Sequence, residues 1–132
     1  MSRVTTTLSV SIAGGQTVSA SSGVIDAEAT GQIDIELAAD DTEVTVEIQP
    51  SASSQIYVLL LSSTYYAPDL TYVFSDGTTD AADTLTLDGP QMFSAGNLGA
   101  IGVNPTQIKL TMASSGEDAT VSIFVARHAT LP

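Results

Sequence analysis

Cysteine and tryptophan are absent from the 132 residues, and histidine occurs once, at His128. Without cysteine there can be no disulfide and no thiolate metal site, and the redox compartment leaves no trace in the chain. A nucleophile needs a base beside it, and the single imidazole stands near the end of the sequence, where an exposed terminal residue is the expectation rather than a catalyst or ligand. Basic side chains are scarce as well. Arg3, Lys109 and Arg127 face 15 acidic residues, and no Lys or Arg falls between Val4 and Ile108. Neutralising phosphates requires Lys and Arg, so no nucleic-acid partner is expected, and anionic membrane surfaces are disfavoured for the same reason. No window approaches the roughly 18 apolar residues of a membrane span, and the N-terminus lacks a charged region followed by an apolar core. A soluble chain made in a cytoplasm, without a secretory signal, is the expectation. The net charge of −12 reads as solubility and mutual repulsion between copies, with a basic partner or tolerance of high salt as the functional alternatives.

Helical spacing over three turns is also missing, and alternation of period two takes its place. The exception is Gln55–Ser63, where Ile56, Tyr57, Val58, Leu59, Leu60 and Leu61 run unbroken. A run of that length with Ile, Tyr and Val in it predicts a central strand covered on both sides. Before it, Val4–Ile12 sets Leu8, Val10 and Ile12 on one face, and Ala13-Gly14-Gly15-Gln16 breaks it. Thr17–Ser22 reads as an edge strand or a loop, and Val24–Ala29 as a short strand. Gln32–Leu37 and Glu43–Gln49 alternate around Asp40-Asp41 and are expected to form a hairpin with one strongly acidic face, stopped by Pro50. After it, strands are expected at Leu70–Ser75, Thr84–Asp88, Thr106–Ala113 and Asp118–Ala126. The Gly-rich segment Gln91–Val103 is expected to be a loop lying on the body, and His128–Pro132 a tail. Short strands separated by Gly, Pro, Asp and Ser turns argue for an all-β fold, an antiparallel β-sandwich of jelly-roll or immunoglobulin-like type. The length suits a single domain spanning residues 1–132.

The residue types offer little chemistry. Carboxylates are plentiful, but glycosidases hold two of them across a cleft furnished with sugar contacts, and the aromatics that line such clefts are few. Asp76, Asp80 and Asp83 cluster in a turn with Asp69 and Asp88 nearby, which raises the question of calcium. The spacing D-G-T-T-D-A-A-D matches no EF-hand loop, so solvated turn acids are the expected reading. There is no glycine loop followed by Lys and no metalloprotease His-Glu pattern. No enzyme, no cofactor and no metal are therefore expected. Tyr65 and Tyr66, adjacent in a loop, could make a small stacking platform, with packing or an interface as the plainer role.

From about residue 70 to 127 the order is a strand with a D-G turn (LTYVFSDGTTD), then TLTLDGP, a Gly-rich loop, and a terminal pair, TQIKLTMASSGEDATVSIFVAR. This arrangement resembles small structural proteins of tailed bacteriophages, nearest to the decoration or cement proteins that bind the outside of a capsid. The resemblance covers under half of the chain and rests on patterning. It implies a non-enzymatic virion component on the outer capsid surface, partnered by the major capsid protein or other virion proteins, and homo-oligomeric, with a trimer favoured. Tyr65, Tyr66, Met92, Phe93 and Phe124 are the candidate interface residues, since aromatics and Met are enriched in interfaces; ordinary core packing is the alternative for each. A surface or fibre-type module that recognises a glycan or protein through its loops is the second functional reading.

Overall fold

The computed structural model describes residues 2–27, 29–48, 56–94, 98, 101–113 and 116–127. The expected tail, with His128, lies outside the described residues. Among the described residues ten strands occur in chain order: β1 (Ser2–Ser11), β2 (Thr17–Ala27), β3 (Ala29–Leu37), β4 (Val44–Glu47), β5 (Ile56–Ser63), β6 (Leu70–Ser75), β7 (Leu85–Thr86), β8 (Gln91–Ser94), β9 (Gln107–Met112) and β10 (Ala119–Arg127). No α-helix is present among the described residues.

Two four-stranded sheets pack together, one in the order β3-β10-β5-β8 and the other in the order β4-β9-β6-β7. Every pairing is antiparallel. From β3 onward each connection crosses from one sheet to the other, except β6 to β7. That winding is the jelly roll, and the immunoglobulin-like alternative is set aside by the strand order. β1 and β2 form a separate ribbon.

Period-two alternation places the core between the sheets. From the first sheet come Leu59, Leu61, Val121, Ile123 and Val125; from the second come Val46, Leu70, Tyr72, Phe74, Ile108, Leu110 and Met112. Phe74 sits at its centre, edge-on to Tyr72 at 5.5 Å and to Phe93 of the opposite sheet at 5.3 Å between ring centroids. Such T-shaped contacts place the positive ring edge on the negative face of its neighbour. Gln91 ties the two sheets by a polar route. Its Oε1 accepts a hydrogen bond from the Tyr72 hydroxyl, and its Nε2 donates to the Thr86 carbonyl at 2.6 Å. Burial pushes the Tyr72 phenol well above its ordinary pKa.

The expectation of a central strand is met by β5, which lies between β10 and β8; its cover is full on the core side and partial on the other, where Val58 is buried and Leu60 half-buried. Three expectations require correction. The segments around Gln32–Leu37 and Glu43–Gln49 do not pair as a hairpin: β3 pairs with β10 and β4 with β9, in different sheets. Side by side, those strands would have set Asp34, Glu36, Glu43 and Glu47 across from one another. Instead Asp34 accepts from the Ser122 hydroxyl at 2.7 Å, and Glu47 accepts from the Gln107 amide at 2.6 Å. The connection leaves the plane of the sheet because Asp40 and Glu43 take positive φ, 72° and 51°, while Asp41 Oδ2 accepts from the Ala38 N–H at 2.8 Å. Second, the segment expected as a loop at Gln91–Val103 opens with an edge strand, β8, whose Phe93 turns into the core. Third, Thr17–Ala27 is one long strand, paired along its length with β1.

Replacing Phe74 by Ala should lower stability by about 3–5 kcal/mol, through lost transfer energy and the cavity left behind. The midpoint of urea unfolding reads this directly, and a loss below about 1 kcal/mol would show that the aromatic cluster does not anchor the core.

Candidate interaction surfaces

The strand registers resolve the outer face of the β3-β10-β5-β8 sheet into rows. One row reads Gln32, Phe124, Leu60, Met92, and the row beside it Thr30, Ala126, Val58, Ser94. Val58, Ala126 and Ala27 are buried here as a second, smaller cluster, with Val4, Tyr57, Met92 and Phe124 packed on it. The next row changes character, with Ser62, Ser122 and Asp34. This sheet therefore carries an apolar belt on the face turned away from the core. The outer face of the other sheet is polar: Glu47 and Gln107 bond across it, and Lys109 reaches the Asp80 carboxylate at 2.9 Å.

The ribbon of β1 and β2 starts on the belt and leaves it. Between the Thr5–Val24 and Thr7–Ser21 pairs there is one residue on β1 and two on β2, so the extra residue bulges on β2 and β1 keeps its alternation. Val4, Thr6, Leu8 and Val10 thus share one face. Val4 is half-buried against the cluster, whereas Leu8, Val10, Ile12 and Val18 are 58–63% exposed. Opposite them across the ribbon, Leu8 faces Ala20 and Val10 faces Val18. The tip, Ile12–Gln16, closes through Gly15 N–H to Ile12 carbonyl at 2.8 Å, with Gly14 at φ 73°. Between the base of the ribbon and the belt runs a groove of about 810 Å³, lined by Val4–Ser9 and by Val58, Leu60, Pro90, Met92, Ser94 and Phe124. A smaller hollow of about 200 Å³ continues it past Leu60 and Phe124 to Gln32, Ser62 and Ser122. Among the described residues no charged side chain lines either one.

The five interface candidates divide. Met92 and Phe124 come together on the belt, flanking Leu60. Tyr65, Tyr66 and Phe93 pack against the main core. The Tyr66 hydroxyl accepts from the Ser63 N–H at 3.0 Å, and the Tyr65 hydroxyl donates to Asp69 at 3.4 Å. Burial first, then the Asp69 and Glu117 charges, raise the Tyr65 phenol above its ordinary pKa. The ribbon residues Leu8, Val10 and Val18 were the surface that residue type alone did not single out, because an alternating strand gives no sign of which face finds cover.

The acidic turn is held by its own bonds. Asp76 Oδ1 accepts from the N–H groups of Thr78 and Thr79 at 2.8 and 2.6 Å, and Gly77 supplies the φ of 93°. Those backbone donors hold the Asp76 carboxyl below the ordinary carboxylate range. Hydrogen bonds from Lys109 and Ser75 do the same for Asp80, and Asp80 in return raises Lys109. Asp83 is exposed. Among the described residues no group of three or more His, Cys, Asp or Glu converges as a metal site. A third hollow, about 470 Å³, opens at the sandwich end between Glu36, Asp41, Thr64, Asp118 and Thr120. No protein-family model, curated protein or solved structure matches the chain.

A depressed carboxyl pKa stabilises the fold above its ordinary value and stops doing so as pH falls through the lowered native value. Asp76→Ala should therefore unfold at a lower temperature than the parent near neutrality. The gap should close on acidification below the ordinary value of 3.8. Melting curves from pH 7 downward test this; a gap independent of pH would assign the loss to the turn's backbone rather than to the charge.

Proposed function

We propose that this protein is a non-enzymatic structural component of a virion, a decoration (cement) protein that sits on the outer surface of a capsid and stabilises the shell by protein–protein contacts. The observation that carries the reading is the ribbon. The sandwich projects a two-stranded arm, uncharged from Val4 to Ile25, whose Leu8, Val10, Ile12 and Val18 are 58–63% exposed, as suits a part built for assembly. A two-stranded ribbon alone is marginal in water, so an arm of this kind gains its order from what it touches. The jelly roll recurs in viral capsid domains, and also in lectins and cupins, so the fold supports the reading only by analogy. Asp41, Asp76, Asp80, Asp34 and Glu47 serve turns and cross-strand bonds, while Glu36, Asp41 and Asp118 also border the hollow at the sandwich end. The partner in this reading is the major capsid protein or another virion protein. The copies would associate around a local symmetry axis, with a trimer the favoured state.

Two measurements test it. Light scattering at low and high salt should give a mass of three chains, and a strict monomer at every concentration would overturn the oligomeric part. Capsids assembled from the major capsid protein encoded in the same genome, free of this chain, should bind it saturably on co-sedimentation and then melt at a higher temperature. Sedimentation of bare capsids alone, with capture of the chain on a glycan panel instead, would replace this reading with the loop-based binding module.

A further inference from the structure

The arm and the belt fit each other in chemistry, and each has surface to spare. Within one chain the fit is already displayed: Val4, at the base of the β1 stripe, packs on Ala27, Val58 and Ala126. Further along the same stripe, Leu8 and Val10 stand clear of the body at 58% and 63% exposure. The belt likewise continues past the base of the arm, along Met92, Leu60 and Phe124, under an open groove.

Charge limits which surfaces of two copies can meet. Each chain carries a net charge of −12, so carboxylate-bearing faces repel one another as copies approach. The arm has no charged residue from Val4 to Ile25, and the groove has none among the described residues that line it. These two surfaces can meet without bringing carboxylates together. Dimensions also agree. At about 3.3 Å per residue, Leu8–Ile12 extends about 13 Å, and three strands spaced about 4.8 Å apart set the β10-β5-β8 belt about 10 Å across.

We propose that the arm of one copy docks on the belt of a second copy, laying its Leu8, Val10 and Val18 face on the Phe124–Leu60–Met92 row. This deepens the reading of the chain as an assembly component and rests on it. Each copy offers one arm and one belt, a head-to-tail contact that closes into a ring where the rotation between copies closes and otherwise runs on as a filament; the closed ring of three is the state proposed.

The test uses the absence of native cysteine, which makes every disulfide an engineered one. Val10→Cys chains and Leu60→Cys chains, distinguished by a mass tag, are mixed and mildly oxidised. Met92→Cys on the edge strand replaces Leu60→Cys should the latter fold poorly. The expected product is the mixed disulfide between arm and belt copies, formed in several-fold excess over either homodimer. A predominant Val10→Cys homodimer would show that arms pair with arms, and absence of any cross-linked product would show that the arm does not meet a second copy; either overturns the proposal. In parallel, the double variant Leu8→Asp, Val10→Asp changes exposed side chains and should keep the parent circular dichroism while its mass falls to one chain. An unchanged oligomeric mass would overturn the contact. The cross-link is read without capsids, so capsid binding that fails while the mixed disulfide forms counts against the decoration reading alone. Intact capsid binding without the disulfide counts against arm docking alone.

Discussion

Leu59 is buried in the main core and Val58, its neighbour in the chain, is buried on the other side of the same sheet. Adjacent residues of a strand point to opposite faces, so the β5 sheet has to be covered twice. The second sheet covers one face, burying Leu59, Leu61, Val121, Ile123 and Val125 and half-burying Ile33 and Ile35. The other face receives only the base of the β1–β2 ribbon, laid across Val58 and Ala126. Most of the molecule's asymmetry follows from this. One outer face is wetted by Glu47, Gln107, Lys109 and Asp80, and the other carries a belt of Phe124, Leu60 and Met92 that is half-buried and uncharged.

The jelly-roll winding answers the same constraint from the side of charge. Acidic strands adjacent in sequence are separated by sending each to a different sheet, where Ser122, Gln107 and Lys109 supply neighbours of opposite or neutral character. The cross-over at residues 38–43 is a turn of Asp side chains and two positive-φ residues. It is also bonded to the end of β9, where the Met112 N–H donates to Asp41 carbonyl at 2.8 Å and the Glu43 N–H donates to Thr111 Oγ1 at 3.2 Å. The acids are thereby used at turns and edges, where water screens them.

Much of this was legible in the chain. Alternation located β3, β4, β6, β9 and β10 and the inward residues Val121, Ile123, Val125, Ile108, Leu110 and Met112. The unbroken apolar run marked β5, and Phe124 stood out on the face opposite its neighbours. Pairing was not legible, because period two tells which residues share a face and nothing about which strand lies alongside. That is why Asp40-Asp41 read as a hairpin turn. β8 was hidden by the glycines that follow it, and β2 by Ser and Ala, whose small side chains carry little alternation signal. Leu8, Val10 and Ile12 were recognisable as one face of a strand, but the same pattern serves a core strand and an arm.

What separates an arm from a core strand is the number of faces available to cover it. In the sandwich each inward row meets a facing row, and Phe74 between Tyr72 and Phe93 shows how completely. In the ribbon the inward row at Val4 meets the belt, and four residues further along it meets solvent. The bulge on β2, between Val24 and Ser21, stands where this change occurs. A bulge increases local twist, so the stretch beyond it need not follow the surface of its own body. Past Thr6, which stands opposite the bulge, the stripe on β1 turns apolar again with Leu8 and Val10, side chains of the kind that serve inside the sandwich. An exposed apolar stripe beyond its own core is the kind of surface that suits a contact, and its lack of charge from Val4 to Ile25 spares it the like-charge repulsion carried by the acidic faces.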